Sequence, residues 1–403
     1  MKLLKILPAL LVMGLSFDSI ANNNVWNQKA NFGGTARHRC TAFSIGNKGY
    51  IGLGHINAVT NILYSDFWEY DPSTNAWTQK ADFGGGLRYH SVGFTIGSKA
   101  YVGTGRDEFG SYTDDLWEFD PIANSWIPKA SIPGAERRGA ISFVINNIGY
   151  VGTGEVTGAG FSNEFFAYDP VSDSWQQIAT FPGAERTSAV AFSIGDKGYI
   201  GTGGLGVGMV DFWEYDPAFD LWTQKANVGT LPRQEAVGFS VNGKGYIGTG
   251  DAFDSGINYS DMWEYNPSAD TWTQTEDFGG IARRYLVAFV IGTKVYAGTG
   301  TNGTNFRDFW EFDKLLSIDQ EPSAMSIHVY PNPVTDKLIL RLENEQLTNL
   351  SFQIYDVSGH LIFSTRIINS QTIIERSNLS SGTYFYTISE EQDIIQSGQL
   401  IFD

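Results

Sequence analysis

Residues 49–77 carry three signatures in order: Gly49-Tyr50-Ile51-Gly52-Leu53-Gly54, then Asp66-Phe67-Trp68-Glu69-Tyr70-Asp71-Pro72, then Trp77. The first returns as Ala100-Tyr101-Val102-Gly103-Thr104-Gly105 and again from Gly149, Gly198, Gly245 and Val295, at intervals of 51, 49, 49, 47 and 50 residues. The second returns from Asp115, Glu164, Asp211, Asp261 and Asp308. A repeat of this length marks one supersecondary unit that cannot bury its apolar faces alone and must stack on its neighbours. Each unit reads as four strands. In the first unit they are Thr41–Ile45, Tyr50–Gly52 after a Gly-rich turn, Phe67–Tyr70, and, after a bend pre-set by Pro72, Trp77–Lys80.

The tryptophans show how the ends meet. Trp68 to Trp77 is a step of nine residues, kept from Trp117 to Trp126, Phe166 to Trp175, Trp213 to Trp222 and Trp263 to Trp272. After Trp310 the ninth residue is Asp319, so the last unit lacks its fourth strand. The missing piece stands at the other end of the chain. Trp26 precedes Arg37 by eleven residues, the same step as Trp77 to Arg88 and each later pair. Val25–Ala30 is therefore expected to be the outer strand of the last unit. A closed ring needs that splice and an open solenoid does not.

Composition agrees. Of 403 residues, 42% are hydrophobic and 14% aromatic, with 46 Gly, which suits many short strands and tight turns. A net charge of −17 disfavours nucleic acid and anionic membrane surfaces, whose partners carry basic stripes. A single Cys rules out an intramolecular disulfide. Residues 1–21 read as a secretory leader: Lys2 and Lys5, an apolar run from Ile6 to Phe17, and Ser19-Ile20-Ala21 before the cut. No later run of 18 apolar residues suggests a transmembrane segment.

The Arg before the inner strand, the Tyr-x-Gly-x-Gly closing the second, the Trp-x-Tyr-Asp-Pro of the third and the Trp of the fourth together resemble the kelch-repeat, galactose-oxidase-like propeller family. The resemblance covers residues 23–313. It implies an all-β chain opening on a six-bladed kelch-type β-propeller over residues 22–313. The Gly-Thr-Gly here stands where many kelch repeats carry a double Gly. The family contains oxidases, sugar-processing enzymes and pure binding modules, so it constrains fold more than function.

After a linker at 314–326, residues 327–403 read as a small β-sandwich with strands at Ile327–Tyr330, Lys337–Leu342, Ser351–Tyr355, Leu361–Thr365, Thr372–Glu375 and Thr383–Ile388. Four motifs in order, Tyr330-Pro331-Asn332-Pro333, Ile354-Tyr355-Asp356-Val357-Ser358-Gly359, Leu379-Ser380-Ser381-Gly382-Thr383-Tyr384 and Gly398-Gln399-Leu400-Ile401, resemble the C-terminal sorting domain of the type IX secretion system. That resemblance implies export across the outer membrane of a Gram-negative bacterium, to the medium or the cell surface, with the secretion machinery as partner of residues 327–403.

Residues repeated in every unit serve the fold, so function is sought where the repeat breaks. The step from the last Gly of the second strand to the third-strand Trp position varies as 14, 12, 12, 10, 13 and 10, while the Arg-to-Tyr step is always 13. The variable loops hold Tyr64, Phe109, Tyr112, Phe161, Phe253, Tyr259 and Phe306, rings that could stack on sugars or pack on the loops themselves. Where the inner hairpin opens, two further positions vary: the pair after the Arg and the residue after the last Gly. They place His38, Arg39, His55, His90, Arg106, Glu155, Glu235, Asp251 and Tyr285 at the channel mouth as ligand-binding candidates. Arg39 and Arg106 are expected to grip a carboxylate, with Glu235 and Asp251 facing them across the axis. His38, His55 and His90 invite comparison with a metal site, but no metal, cofactor or catalytic set is assigned. Cys40 occupies a slot held elsewhere by Ser91, Ala140 and Ala189, and reads as a small core residue. The expectation is a secreted or surface binding protein for a glycan or other extracellular polymer. A sugar-acting enzyme (epimerase, mutarotase or galactose-oxidase-like) and a protein-interaction module stay open as alternatives.

Overall fold

The computed structural model describes residues 24–57, 61–158, 160–229, 231–253, 256–314, 327–342, 350–367, 369, 371–376, 379–390 and 393–402. The expected leader and nearly all of the expected linker lie outside them. The chain divides into two compact units, residues 1–315 and 316–403.

Among the described residues the first unit contains six four-stranded antiparallel sheets. The first is built from Thr41–Ile45, Lys48–Gly52, Phe67–Asp71 and Ala76–Gln79, in that order outward. The sixth is built from Val287–Ile291, Lys294–Gly298 and Phe309–Lys314, with Asn24–Gln28 as its outer strand. Trp26 pairs with Phe312 and Gln28 with Trp310 in this splice, so the first strand of the chain completes the last sheet. The inner strands touch one another in cyclic order, the sixth returning to the first. Pairing the first and last strands of the repeat array in one sheet removes the free edge that an open array would expose.

The sheets interlock by a repeated small-against-large contact. The Phe of each inner strand lies over the second strand of the next sheet, where a Gly usually stands. At the seam between sixth and first sheets, a Cβ on Gly49 would meet the Phe289 ring at 1.9 Å. Toward the axis the inner strands carry Ala42, Gly93, Ser142, Ala191, Gly238 and Ala288, small enough for six strands to converge.

The repeated Arg residues do structural work. Arg37, Arg137, Arg186, Arg233 and Arg283 are fully buried and Arg88 nearly so. Each donates to the backbone carbonyl sixteen residues on, as Arg186 Nη1 does to Thr202 at 2.9 Å. Arg186 also binds Asp211 through both Nη atoms at 2.7 Å, and Trp213 Nε1 donates to the same carboxylate at 2.8 Å. For Arg186 the buried charge is tolerated because Nε, Nη1 and Nη2 each meet an oxygen.

In the second unit, Ile327–Tyr330, Lys337–Leu342 and Gln371–Glu375 form one sheet, and Leu361–Ile367, Leu350–Tyr355, Gly382–Glu390 and Asp393–Phe402 form the other. Val334, Leu338, Leu340, Phe352, Ile354 and Ile388 fill the space between them. The last strand, Asp393–Phe402, goes beyond the six read from sequence. Gly398 interrupts its apolar pattern because the Tyr386 ring lies over it, where a Cβ would sit 2.6 Å away. The first and last quoted motifs meet: Asn332 Nδ2 donates to Gln399 O at 2.9 Å and its Oδ1 accepts from Ile401 N at 2.9 Å.

Candidate functional site

The two variable positions after each Arg separate into concentric rings. The first of each pair extends the inner hairpin by bridging to the residue after the last Gly: His38 with His55, Tyr89 with Arg106, Arg138 with Glu155, Thr187 with Gly204, Gln234 with Asp251, and Arg284 with Thr301. The second turns to the axis. Arg39, His90, Gly139, Ser188, Glu235 and Tyr285 all have positive φ, between 53° and 61°. That conformation costs about 1 kcal/mol or more for a residue with a side chain. It is held by a chain of backbone hydrogen bonds in which each N–H donates to the preceding member's carbonyl, from His90 to Arg39 round to Tyr285 to Glu235, at 2.9–3.2 Å. Between Tyr285 and Arg39 the side chains make the link, Arg39 Nη2 donating to the Tyr285 hydroxyl.

The inner ring surrounds a small cavity of about 120 Å³, bordered by Cys40, Ala140, Ala189 and Ala236. Beside it a wider cavity of about 360 Å³ is shared by Arg138, Glu155, Phe161 and Phe253. The wider one is in the range of small-molecule sites. Of the expected residues, Arg39, His90, Glu235 and Tyr285 line both cavities and Glu155 the outer one. His38, His55 and Asp251 are buried behind them.

The expected facing of Arg39 and Arg106 against Glu235 and Asp251 across the axis is corrected by the geometry. Arg106 folds onto its own loop, Nε donating to Gly110 O at 3.0 Å and Nη1 to the Tyr89 hydroxyl at 3.2 Å, and it borders neither cavity. Glu235 is chained to Arg39 through Tyr285, whose hydroxyl donates to Glu235 Oε1. Arg284 holds Glu235 at 3.2 Å and Asp251 at 3.0 Å. Glu155 is taken by Arg138 and by the Tyr112 hydroxyl.

Arg39 is different. Among the described residues no carboxylate lies within salt-bridge reach of it. It touches the Tyr285 hydroxyl and His55 Nε2, its guanidinium stacks 4.3 Å from the Tyr285 ring centre, and its Nε has no partner. Both ring nitrogens of His90 are likewise buried and unpartnered.

Electrostatics follow from burial. Burial and the neighbouring Arg39 lower His38 to about 4, although its bond to Asn305 opposes them. Burial, then His38 and Arg39, lower His55 to about 3. Burial and then Arg39 hold His90 well below its ordinary value. All three imidazoles are neutral near pH 7. His38 and His55 stack with centres 4.3 Å apart. Among the described residues no three His, Cys, Asp or Glu are grouped to hold a metal ion. Burial raises the Cys40 thiol to about 11, so it is no thiolate nucleophile. Burial raises Glu235 to about 7, with Asp251 adding to the effect and Tyr285, Arg39 and Arg284 opposing it.

The loop aromatics divide in use. Tyr64, Tyr259 and Phe306 roof the buried Arg37, Arg233 and Arg283 at 3.6, 5.0 and 4.0 Å. Phe161 and Phe253 border the outer cavity, and Phe109 is 84% exposed. Phe161 and Phe253 are two of the loop aromatics expected from sequence, whereas Ser188, Arg138 and Arg284 are not among the expected ligand-binding residues. The one usable signal was Gly139: a Gly in one of six equivalent positions points to a backbone that turns left-handed there, and hence to a separate inner ring.

Comparison with known proteins agrees with this architecture. The KLHDC2/KLHL20/DRC7 kelch-repeats domain matches residues 84–250, and the secretion system C-terminal sorting domain matches residues 328–402. No curated protein matches the chain. A solved structure titled "Structure of YjhT" is similar at a TM-score of 0.59 and 18% identity, over 69% of this chain and 95% of that one, which is a likeness of fold. The chain therefore carries a kelch-type propeller followed by a sorting domain, and the latter marks it for export by the type IX machinery to the cell surface or beyond. Among the described residues no helix is long and apolar enough to cross a membrane.

Proposed function

We propose that this chain is a secreted or surface-held binding protein of a Gram-negative bacterium that recognises a glycan through the propeller mouth, seating an acidic terminal sugar against Arg39. One observation carries the reading: Arg39 is a half-buried guanidinium lining a ligand-sized cavity with no carboxylate of its own among the described residues, whereas Arg138 and Arg284 beside it are both paired. A sugar carboxylate would meet the unpartnered Nε and gain charge-assisted hydrogen bonds that water competes for poorly in such a cavity. Phe161 and Phe253 at the outer cavity offer apolar faces to the next sugar rings. The variable loops supply the shape that distinguishes one polymer from another.

The test is a glycan array with the full chain, spanning neutral and uronate-terminated oligosaccharides, with calorimetry on the hits. Arg39→Ala is expected to weaken acidic glycans about ten- to a hundredfold, the loss of roughly 1.5–3 kcal/mol for a hydrogen-bonded charge. Its melting temperature should stay near the parent's. Equal binding of neutral and acidic glycans, or an Arg39→Ala variant that binds like the parent, refutes the reading.

One observation favours a second reading, an enzyme acting on a sugar such as an epimerase or mutarotase. Glu235, near 7, stands beside Tyr285 on the inner ring and could exchange a proton with a bound hydroxyl at neutral pH. Conversion of a bound sugar, lost in Glu235→Gln, would establish it. Binding without turnover leaves the first reading standing.

A further inference from the structure

We propose that the mouth takes up its carboxylate together with a proton, which goes to Glu235, and that the Tyr285 hydroxyl couples the two events. This rests on the reading of the mouth as an acidic-glycan site.

The geometry is a three-member chain on consecutive sheets. Arg39 of the first sheet donates to the Tyr285 hydroxyl of the sixth, and that hydroxyl donates to Glu235 of the fifth. Glu235 thus feels the Arg39 cation through one intervening oxygen. Its other charged neighbours are accounted for. Arg284 of the sixth sheet contacts its Oε2 at 3.2 Å, and Asp251 of its own sheet is held by the same Arg284. His90 of the second sheet and His38 of the first pack on the Tyr285 ring, at 5.1 and 5.5 Å between centres. Ser188 of the fourth sheet is uncharged. Arg138 and Glu155 of the third neutralise each other.

A carboxylate seated on Arg39 does two things to Glu235. It cancels the cation that favours the ionised form, and it brings a second negative charge into the same cavity. Both raise the proton affinity of Glu235 in the complex above its free value of about 7. The sign follows by linkage. A group that holds its proton more tightly in the complex makes binding tighter as pH falls. Between the free and bound values one proton enters per ligand, and affinity drops by up to about tenfold per pH unit on going alkaline. Below the free value Glu235 is already protonated and this dependence flattens. His38 and His55, at about 4 and about 3, start so far below this window that they contribute only if the ligand raises them by several units, and burial and Arg39 likewise hold His90 well below its ordinary value.

The experiment is titration calorimetry of the full chain with a galacturonate trimer at about pH 6 and about pH 8, chosen to bracket the free Glu235, in two buffers of different ionisation heat. The expected result is uptake approaching one proton at the higher pH, little at the lower, and about tenfold weaker binding at the higher. Glu235→Gln should abolish the uptake and bind equally at both. Tyr285→Phe should reduce the uptake, because Glu235 without its donor is protonated before the ligand arrives. Binding of equal strength at both pH values in the parent, or uptake that survives in Glu235→Gln, overturns the proposal and leaves the acidic-glycan reading intact. No binding of the trimer at either pH, with the array also blank for acidic glycans, overturns the reading beneath it.

Discussion

The third sheet is the one place where the Arg–Asp–Trp arrangement is broken, and repairing it should stabilise the propeller. In the other five sheets the Asp carboxylate accepts from the Trp indole at 2.6–2.8 Å while the buried Arg binds it. In the third sheet the acid is Glu164 and the Trp is Phe166. The acid no longer closes on the guanidinium: Arg137 Nη2 lies 3.7 Å from Glu164 Oε2 and is buried with no hydrogen-bond partner. The two departures belong together, because a Phe offers no donor to fix a shorter acid in place. The perturbation is Glu164→Asp with Phe166→Trp. It would restore one indole bond to a carboxylate and satisfy one buried donor, each worth roughly 1–3 kcal/mol before solvent is considered. Glu164 is 44% exposed, so solvent screening cuts the expected net gain to about 1–2 kcal/mol. In a unit of this size that is a rise of about 2–6 °C in the melting temperature. The assay is scanning calorimetry of parent, both single variants and the double variant. Phe166→Trp alone should gain nothing, since its indole would find no suitably placed acceptor. The coupling between the two changes should be favourable by about 1 kcal/mol. A double variant no more stable than the parent, or effects that merely add, would refute the account of how this arginine is held.

Further outcomes are expected. Deleting residues 22–30 removes the outer strand of the sixth sheet and uncovers Phe312 and Phe278, against which Trp26 packs at 5.0 Å. The product should be insoluble or unfold without cooperativity, and a variant that melts like the parent sinks the splice. Truncation after Ser323 should leave the propeller on the inner side of the outer membrane in the native host, as fractionation would show; its arrival in the medium or on the cell surface defeats the assignment of the C-terminal unit. Burial pushes Asp211, Asp261 and Asp308 up, but their Arg partners outweigh it and hold all three below the ordinary carboxylate value. The stability they contribute is present above the unfolded value of about 4 and is lost as pH falls through the lower folded values, so melting temperature should drop steeply below about pH 4. Glu235, raised when folded, acts in the opposite sense: its contribution is full below the unfolded value and is lost as pH rises through about 7. Melting curves of Glu235→Gln should lack that shallow neutral-range decline, and an identical slope in both proteins would count against a buried, elevated Glu235.

The repeat spacing alone determined the number of units, the four strands in each and the closure by Trp26, because such features depend on local pattern and chain order. Strand alternation, Pro-led turns and invariant Trp-to-Arg steps are written residue by residue. Sequence likewise marked the mouth as the place where the units differ, and it separated Arg37 and its repeats from Arg39. It could not say how the variable residues pair. Arg39 and Arg106 look equivalent along the chain, both basic and both unique at their positions. Only in three dimensions does one enter the cavity while the other folds back on Gly110. Glu235 and Arg39 are separated by nearly two hundred residues and are joined by Tyr285 because the ring closes there. The left-handed turn that aims the inner ring at the axis is legible only at Gly139; at Arg39, His90, Ser188, Glu235 and Tyr285 it is imposed by neighbours' backbone hydrogen bonds. Local propensity would not choose that conformation. It exists because six sheets converge on one axis, and convergence is a property of the assembled ring.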